Sequence, residues 1–510
     1  MATHADSTAD IAVDVSGDQG VPGRPLACGW RAGVRVRTTL LALSLICGLG
    51  AWLRLYSLGT KSLWLDEGVS AMIARLSWPE FWNLLQWREG NMALYYLLLR
   101  GWVHIGSSEF ALRSLSAIAG VLTLPAIYLL GRGLHGRFAG LLAALLLALH
   151  PFHLRYSQEA RSYALLGLTL VLAAYFLARA VRSSSDKDWT AFVLFCALSI
   201  YLHFLAVFVV MALLLSLLFL PTQAVGVRKW LGILSLLGLL TAPAAWYVFT
   251  HRDIGLIDWI PEPSWPLVAR CATALAGVGG IAGILYAAVC VLPLVWRRIQ
   301  SPASGPEAPC GLWALPALWS VVPGLLLFGA SLYRPVLVER YLLMSVPGVV
   351  LLASYAVAHL QDRLRLPVAA LLVLVSTFGT IRYFQTTSGE GEDWRGAVRH
   401  TIRHAQSGDI VLPDNGIVRP VFEYYRQQSK ASAPRAYSFA PRGDELNYLD
   451  FANITRPQVL DRVAQVHSRV WIFEWGNGNA LVPEIERRFR QAAAQQFLGV
   501  NVKLYVRDPN

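Results

Sequence analysis

Two adjacent acidic residues, Asp66 and Glu67, follow directly after the first long apolar run of the chain, in the sequence SLWLDE that begins at Ser62. An ionisable group at the face of a membrane is costly unless it is paired or used in chemistry. A positioned carboxylate can take the proton of a hydroxyl group, which is barely acidic by itself, and such help typically accelerates a reaction by about 10²–10⁴-fold. The pair is therefore the first candidate for a catalytic site.

A third acid occurs in the segment 150–163 (HPFHLRYSQEARSY), which contains Glu159 and, two residues later, Arg161. One interpretation is purely structural, because an acidic side chain is favoured at the positive end of a helix and can pair with a nearby arginine. A second acid on the same face as Asp66 favours a site instead. The residues alone leave both interpretations open.

Another polar cluster, residues 333–341 (YRPVLVERY), brings Arg340 and Tyr341 to the start of an apolar run. An unpaired cation is costly there, so Arg340 needs an anionic partner. The guanidinium fork matches the oxygens of a phosphate or a carboxylate. The partner is either a bound phosphate or an acid of the chain, Glu339 or Glu159.

A metal ion is a further open point. The histidines at positions 150, 153, 203 and 251 are predicted on the same side as these acids, but their spacing is not that of a metal motif. The six cysteines mostly lie in apolar runs and behave as small hydrophobic residues. A divalent metal ion held with Asp66 or Glu159 therefore stays open as a cofactor.

The composition is that of a membrane protein. Of the 510 residues, 55% are hydrophobic and 15% are charged, against about 25% charged in a typical soluble domain. The net charge of +12 comes from Lys and Arg dispersed among apolar runs, which indicates membrane topology and not nucleic-acid binding. Runs of about 20 mostly apolar residues predict about 11 membrane spans. These are residues 38–58, 108–131, 138–153, 162–180, 190–202, 204–220, 230–249, 266–296, 312–330, 341–359 and 365–384.

The connections between the spans alternate in charge. One set is basic and should face the cytoplasm: Arg24/Arg31/Arg35/Arg37, Arg132/Arg137, Arg179/Arg182/Lys187, Arg228/Lys229, Arg297/Arg298 and Arg363/Arg365. The alternate set holds the candidate acids. We therefore expect a multi-pass protein of the cytoplasmic membrane, with a disordered cytoplasmic segment 1–37, a membrane domain 38–384 and an extracytoplasmic domain 385–510.

Two extramembrane regions have recognisable patterns. The first outward loop, 59–107, is rich in Trp and Tyr, which favour the membrane interface. Its segments 68–76, 79–88 and 92–104 are predicted to be interfacial helices. The region 385–510 is predicted to be a small α/β domain, with an amphipathic helix at 393–405 and strands at 409–413, 470–473 and 500–506.

These features together indicate transfer from a lipid-linked phosphate. Acids supply a base, an arginine stabilises the departing phosphate, and interfacial helices face the lipid. The chain has no glycine-rich loop to cradle a nucleotide. A sugar carried on a polyprenyl phosphate fits this geometry, with membrane lipids around it and an extracytoplasmic acceptor.

At these residues the sequence resembles the GT-C integral-membrane glycosyltransferases, the superfamily of bacterial protein O-mannosyltransferases and lipid A aminoarabinose transferases (glycosyltransferase family 39-like). The segments that carry the resemblance begin at Ser62 (SLWLDE), Leu94 (LYYLLL), Ala111 (ALR), Tyr156 (YSQEARSY), Tyr201 (YLHF) and Glu339 (ERYL). Many relatives have Pro-Pro just before the Leu-Tyr-Tyr segment, whereas this chain has Asn91-Met92-Ala93. That departure argues against copying an aminoarabinose assignment.

The resemblance implies a polytopic α-helical GT-C fold, an outward-facing site, a polyprenyl-phosphate-sugar donor and inversion at the anomeric carbon. Some members use a divalent cation. It further implies that Asp66 is the general base, that Glu67 supports it, and that Glu159 is the second acid of the site. The implied substrate-binding residues are Tyr95, Tyr96, Arg113, Tyr156, Gln158, Arg161, Tyr163, His203, Arg340 and Tyr341.

Two other functions stay open. A transporter or flippase of lipid-linked glycans should have charged residues near the bilayer midplane and broken helices, whereas the predicted spans are clean apolar runs. A non-catalytic relative could serve as an assembly subunit, although the intact acids weigh against it. The sugar, mannose or another hexose or pentose, and the acceptor, protein, lipid or envelope glycan, do not follow from the residues.

Overall fold

The computed structural model describes residues 27–183, 185–219, 226–251, 259–299, 313–386, 391–413, 417–429, 434, 436, 457–476 and 481–507. The chain divides into two compact units, 1–42 and 43–510, and the site lies in the second. Most of the segment predicted to be disordered, 1–37, lies outside the described residues. The last part of this segment is helical and not disordered: the first helix begins at Ala27. The sequence has no proline between Pro25 and Pro79 that would stop a helix there.

Helices make up most of the described chain. In the membrane part they are α1 (Ala27–Leu55), α2 (Leu65–Ile73), α3 (Trp78–Trp87), α4 (Ala93–Trp102), α5 (Glu109–Ala148), α6 (Pro151–Ser157), α7 (Tyr163–Ser183), α8 (Asp186–Leu202), α9 (Ala206–Ser216), α10 (Val227–Thr250), α11 (Trp265–Ala276), α12 (Gly280–Ile299), α13 (Ala314–Ser331), α14 (Val346–Ala358) and α15 (Asp362–Thr386). Two 3₁₀ segments, Gly90–Met92 and Glu339–Ser345, precede α4 and α14.

Seven of the described helices are long and apolar enough to cross a membrane: α1, α5, α7, α10, α13, α15, and α14 together with its 3₁₀ segment. The apolar helices α8 and α9 have 17 and 11 residues and occupy the predicted spans 190–202 and 204–220. The short helices α2, α3 and α4 occupy the predicted interfacial segments. The predicted polytopic helical fold is confirmed.

Helix α5 is two antiparallel arms and not one straight rod. Gly136 has φ 89° and ψ 176°, values that break the helix and that glycine adopts at low cost. Beyond it the second arm returns so closely that a Cβ atom on Gly140 would lie 2.7 Å from the carbonyl oxygen of Tyr128. The two arms correspond to the predicted spans 108–131 and 138–153.

The predicted continuous span 266–296 is wrong. Helix α11 ends at Ala276, and Gly277 takes the left-handed conformation with φ 73°. Helix α12 starts only at Gly280, whose φ is 62°. Glycine is the usual residue at such a helix end. Gly277 and Gly280 therefore separate α11 from α12, although the apolar residues of the two helices form one continuous run in the sequence.

The C-terminal region contains a four-stranded sheet of order β1-β2-β4-β3. Its strands are β1 (Ile410–Pro413), β2 (Arg469–Trp475), β3 (Arg490–Phe497) and β4 (Val500–Val506); β1 and β2 pair in parallel, and β4 pairs antiparallel with β2 and β3. Its helices are α16 (Trp394–His404), α17 (Val418–Gln428), α18 (Pro457–Val466) and α19 (Val482–Glu486). The strand β3 was not predicted, because its sequence, RQAAAQQF, is almost wholly exposed and lacks an apolar alternation.

The C-terminal region is packed against the candidate acids. Helix α17 lies on α2, close enough that a Cβ atom on Gly68 would come within 2.6 Å of Val421. The hydroxyl of Tyr425, also in α17, accepts a hydrogen bond from the backbone N–H of Leu63 at 2.7 Å. The sheet and its helices therefore hold the start of α2 from one side.

Candidate functional site

The acids Asp66 and Glu67 lie in the first turn of α2. A carboxylate is favoured there because the first N–H groups of a helix are unpaired and carry partial positive charge. Glu67 Oε2 accepts a hydrogen bond from the backbone N–H of Trp64 at 3.3 Å, which caps the helix. The two acids therefore lie side by side in the first turn of α2, and their side chains contact different residues: Glu67 contacts Arg113 and Asp66 contacts Arg340.

Glu67 is fully buried, and its hydrogen bonds join α2 to α5 and to the loop between α6 and α7. Its Oε1 accepts from Nε of Arg113 at 2.8 Å and from the backbone N–H of Ala160 at 2.7 Å, and its Oε2 accepts from Nη2 of Arg113 at 2.6 Å. Arg113 also donates to three carbonyl oxygens of the loop before α2, those of Leu58, Lys61 and Ser62. A buried ion pair whose hydrogen-bonding groups are satisfied in this way fixes the position of the segments that it joins.

Asp66 is held by two arginines. Its Oδ2 lies 3.1 Å from Nη1 of Arg340 and 3.5 Å from Nη2 of Arg161. The three side chains keep 20%, 16% and 10% of their surface exposed, so the cluster is reachable but largely shielded. Of the alternatives left open for Arg340, the structure shows an acid of the chain, but it is Asp66 and not Glu339 or Glu159; Glu339 pairs with Arg270 at 2.6 Å and Glu159 with Arg155.

Glu159 lies in the loop between α6 and α7. Its Oε1 accepts from Nε of Arg155 at 3.3 Å, and not from Arg161. Its Oε2 is buried and has no hydrogen-bond partner among the described residues. Burial raises the pKa of Glu159 from 4.5 to about 7, against the opposing effect of Arg155. This acid can therefore change its protonation near neutral pH.

Four of the predicted substrate-binding rings form a continuous row beside the arginine cluster. The ring centroids of Tyr156 and Tyr163 are 4.9 Å apart, those of Tyr163 and His203 are 5.9 Å apart, and those of His203 and Tyr341 are 5.1 Å apart. The guanidinium of Arg340 lies 5.9 Å from the Tyr341 ring. The row of rings therefore ends beside the guanidinium of Arg340.

The remaining predicted substrate-binding residues are Tyr95, Tyr96 and Gln158, and Gln158 also lines the cavity described below. Tyr95 and Tyr96 are fully buried, and the Tyr96 hydroxyl donates to Oε2 of Glu89 at 3.0 Å. Gln158 Nε2 donates to three carbonyl oxygens at the end of α1, those of Leu53, Arg54 and Tyr56, and its Oε1 accepts from the Tyr383 hydroxyl at 2.9 Å.

Asn91 begins the segment Asn91-Met92-Ala93, at which the sequence departs from the resemblance. Its Oδ1 accepts from the backbone N–H of Phe204 at 3.1 Å, and its Nδ2 lies 3.5 Å from Nε2 of His203. The residue at this departure thus connects the loop 59–107 to the end of α8.

Three functional candidates from the C-terminal region were missed by the sequence analysis. Glu392 accepts from the backbone N–H of Leu65 at 3.2 Å, Tyr425 bonds Leu63, and Arg395 donates to Oε1 of Glu109 at 2.9 Å. The only sequence signal near them is the Asp393 cap of α16, which indicates a helix start and not a contact with α2.

A cavity of about 680 Å³ opens beside these acids, within the usual size range of ligand pockets. Glu67, Arg113, Arg155 and Glu159 line one side. The loop before α2 and the end of α15 line others, and Gly391, Glu392, Asp393 and Leu498 of the C-terminal region close the last side. Segments that carry three of the candidate acids, Glu67, Glu159 and Glu392, therefore meet at this cavity.

A divalent metal ion does not fit the acids as they are arranged. Each of the three is paired with arginine: Asp66 with Arg161 and Arg340, Glu67 with Arg113, and Glu159 with Arg155. Within the described part of the chain, no three His, Cys, Asp or Glu side chains gather closely enough to hold a metal ion. We assign no step to a metal.

Comparison with known proteins identifies the fold. A family model described as dolichyl-phosphate-mannose-protein mannosyltransferase matches residues 92–247. No curated protein sequence matches the chain.

Two of the similar solved structures illustrate the likeness over most of the chain. ArnT from Cupriavidus metallidurans, solved with undecaprenyl phosphate, has a TM-score of 0.61 at 12% identity, over 90% of this chain and 97% of ArnT. The oligosaccharyltransferase AglB from Archaeoglobus fulgidus, solved with an inhibitory peptide and a dolichol-phosphate, has a TM-score of 0.50 at 13% identity, over 86% of this chain and 69% of AglB. The resemblance seen in the sequence is confirmed, and the chain has the membrane fold of the GT-C glycosyltransferases.

Proposed function

We propose that this protein transfers a sugar from a polyprenyl-phosphate donor to an acceptor hydroxyl on the extracytoplasmic side of the cytoplasmic membrane, with inversion at the anomeric carbon. The observation that carries the proposal is Asp66 held between Arg161 and Arg340 at the start of α2. A carboxylate next to two cations combines a proton acceptor with a phosphate-binding group.

In the proposed reaction, Asp66 accepts the proton of the acceptor hydroxyl, and the two arginines bind the phosphate of the donor. The acceptor oxygen forms a bond to the anomeric carbon, and the bond from that carbon to the phosphate oxygen breaks. The phosphate leaves with the bonding electron pair as polyprenyl phosphate, and the hydroxyl proton passes to Asp66. Arg161 and Arg340 stabilise the negative charge that develops on the phosphate, and Glu67 holds α2 in place.

The pairing of Asp66 with the arginines gives an order to these events. While Oδ2 of Asp66 is bound to Arg340 and Arg161, that oxygen is occupied by the two guanidinium groups. A donor phosphate competes for the same guanidinium groups. Donor binding therefore loosens the arginines from Asp66 and makes its oxygen available for the proton.

The lipid donor is supported by the comparisons. One structure with this fold holds undecaprenyl phosphate and another holds a dolichol-phosphate. The matching family model is described by a dolichyl-phosphate-mannose donor, so mannose is the first sugar to try. Other hexoses and pentoses belong in the same panel.

The proposed sidedness follows from charge. The site lies at the ends of α1, α8 and α15 and at the starts of α5 and α7. The opposite helix ends carry Arg132, Arg179, Arg182, Lys229 and Arg365, the pattern of cytoplasmic connections. A reporter fused after Asn510 and active only outside the cytoplasm tests this placement, and a reporter active inside contradicts it.

The activity is tested with purified protein in sealed lipid vesicles. Labelled polyprenyl-phosphate mannose, glucose and arabinose are supplied in turn, with and without a chelator, and release of polyprenyl phosphate is measured for wild type and Asp66→Asn. We expect wild type to consume one donor and folded Asp66→Asn to lose turnover. Intact donors combined with passage of a lipid-linked glycan across the bilayer would contradict the enzyme and support the transporter.

A further inference from the structure

A second hollow, which we call the side groove, lies between α6, α11 and the end of α15 and has a volume of about 520 Å³. Much of its lining is apolar. These apolar residues are Pro151, Phe152, Ala269, Ala274, Val278 and Phe378. The side groove is therefore wide enough for a small ligand and can accept a hydrophobic one.

The side groove lies at the end of a membrane helix. Helix α15 has 25 residues and is apolar enough to cross a membrane, whereas about 20 residues cross the hydrocarbon core. The part of α15 that lines the groove begins at Phe378 and reaches the last residue of the helix, Thr386. Phe378 and its neighbour Ile381 are 54% and 51% exposed. The groove thus lies where the acyl chains of a bilayer meet the headgroups.

Three arginines line the side groove, and their side chains are accessible. Those of Arg155 and Arg270 are 53% and 58% exposed, and Arg382 is exposed as well. Among the described residues of the lining there is one acid, Glu339, so three arginines and one glutamate give a formal charge of +2. A concave surface of one charge sign concentrates ligands of the opposite sign.

The three arginines differ in how far acids neutralise them. Nε of Arg155 lies 3.3 Å from Oε1 of Glu159, and Nε of Arg270 lies 2.6 Å from Oε1 of Glu339. Arg382 has no ion pair among the described residues; the contact that it makes is with an aromatic ring. The excess positive charge of the groove therefore lies at the end of α15.

The position of Arg382 suits it to bind a headgroup. Its guanidinium carbon lies 6.0 Å from the ring centroid of Phe378, one turn earlier in α15, a contact that favours a guanidinium held over the ring. Thr273, an exposed residue of α11, adds a hydroxyl group to the lining. A planar guanidinium fork matches the oxygens of a phosphate.

The combination of apolar lining and excess cation selects the class of ligand. A soluble anion would leave the apolar lining uncovered, and a neutral lipid would leave Arg382 without a counter-charge. A zwitterionic headgroup brings its own ammonium group, which three arginines repel. An amphiphile with a net negative headgroup satisfies both parts of the groove.

The side groove is separate from the cations that we assign to the donor phosphate. Neither Arg161 nor Arg340 is among the residues that line it. Glu339, the chain neighbour of Arg340, lines the groove and pairs there with Arg270. An anion in the groove would therefore be held by different cations, with an acidic side chain next to Arg340.

We propose that the side groove is a binding site for an anionic phospholipid of the bilayer, with the phosphate at Arg382 and Arg270 and an acyl chain against Phe152 and Phe378. The site does not depend on the proposed glycosyl transfer. Arg155 lines both the side groove and the 680 Å³ cavity and holds Glu159. The bound lipid would therefore lie one side chain away from a candidate acid.

The test measures lipid binding to the full-length protein by native mass spectrometry. Purified protein in detergent is titrated with phosphatidylglycerol, phosphatidylethanolamine and phosphatidylcholine, and the apparent Kd of the first bound lipid is determined for each. The variant is Arg382→Gln, at an exposed side chain. Its control is Arg487→Gln, at an exposed arginine of the C-terminal region.

We expect wild type to bind phosphatidylglycerol more tightly than the two zwitterionic lipids. Arg382→Gln should weaken that binding about 5-fold, the contribution of one basic residue near an anionic lipid, and Arg487→Gln should leave it unchanged. Equal affinities of wild type for the three lipids would overturn the proposal, as would equal affinities of wild type and Arg382→Gln for phosphatidylglycerol.

A variant with the opposite sign gives an independent check. Glu339→Gln removes the acid of the groove lining and releases Arg270 from its ion pair, so it should bind phosphatidylglycerol more tightly than wild type. Weaker binding by Glu339→Gln would contradict the assignment of the phosphate to Arg270 and Arg382.

A competition experiment separates this site from the donor site. Undecaprenyl phosphate is added to protein loaded with phosphatidylglycerol, for wild type and Arg340→Lys. We expect phosphatidylglycerol to stay bound, and Arg340→Lys to weaken binding of undecaprenyl phosphate alone. Displacement of phosphatidylglycerol would assign the groove to the polyprenyl lipid and overturn the proposal. Loss of the proposed sugar transfer, with phosphatidylglycerol still bound through Arg382, would leave the lipid site standing.

Discussion

Oδ2 of Asp66 lies 3.1 Å from Nη1 of Arg340, although 274 residues separate them in the chain. The contact joins the first turn of α2 to the 3₁₀ segment before α14. It explains how an arginine at the start of a membrane helix is tolerated, since an opposite charge offsets its desolvation. It also places a proton acceptor against a group suited to phosphate, and the first two predictions depend on it.

Asp66→Asn keeps the shape of the side chain but removes its charge and its basicity. We expect sugar transfer to fall by about 100-fold or more, the usual contribution of a general base. Release of polyprenyl phosphate is measured beside Asp186→Asn, a control at an exposed aspartate that pairs with Lys229. Wild-type turnover in folded Asp66→Asn would remove Asp66 from the chemistry.

Arg340→Lys keeps a positive charge but loses the planar fork. We expect the KM for the donor to rise about 10- to 100-fold, as expected for loss of hydrogen bonds to a charged group, and inhibition by free polyprenyl phosphate to weaken in parallel. Arg487→Lys, at a mostly exposed side chain, serves as the control. An unchanged inhibition constant would place the phosphate elsewhere.

The buried pair of Glu67 and Arg113 should dominate local stability. Removing one partner, as in Arg113→Met, leaves a buried charge without its counterpart and costs about 3–5 kcal/mol. We expect a large fall in apparent melting temperature for Arg113→Met, and a smaller combined loss than the sum of the singles when Glu67→Leu is added. Arg487→Met, which breaks an exposed pair with Glu484, should cost about 0–1 kcal/mol. An equal loss of stability in Arg113→Met and Arg487→Met would show that the buried pair of Glu67 and Arg113 does not dominate local stability.

Glu159 should make stability depend on pH. Its pKa rises from 4.5 to about 7 on folding, so the folded state binds its proton more tightly than the unfolded state. Relative to Glu159→Gln, wild type should be most stable below pH 4.5 and should lose up to roughly 3 kcal/mol as the pH rises through about 7. Melting temperatures of both proteins between pH 4 and 8 measure the difference, and a constant difference would mean that the carboxyl is not buried as described.

Tyr425→Phe should loosen the loop that leads into the site. It removes the acceptor for the backbone N–H of Leu63 and for the hydroxyl of Ser62, and an unpaired buried N–H costs about 1–3 kcal/mol. We expect faster hydrogen exchange in residues 62–67 and lower turnover. Tyr333→Phe, at a tyrosine that is 96% exposed, should change neither; identical exchange in both variants would show that α17 does not support the site.

The sequence predicted the architecture because membrane spans follow from local hydropathy and from charge between the spans. It failed where a local conformation interrupts the apolar pattern, as at Gly277, where a left-handed residue ends α11. It also missed β3, whose exposed Gln and Ala residues have no alternating pattern and become a strand through pairing with β4.

The candidate acids and Arg161 and Arg340 were recognisable from the sequence because ionisable groups beside apolar runs are rare and costly. Which acid pairs with which arginine was decided only by the tertiary structure, since Asp66 meets Arg340, Glu67 meets Arg113 and Glu159 meets Arg155. The hydrogen bonds from Leu65 to Glu392 and from Leu63 to Tyr425 also became visible only in the tertiary structure. Local patterns record the cost of exposing or burying a residue, whereas a contact between distant residues depends on how the helices pack, and nothing in the residues near either partner encodes it.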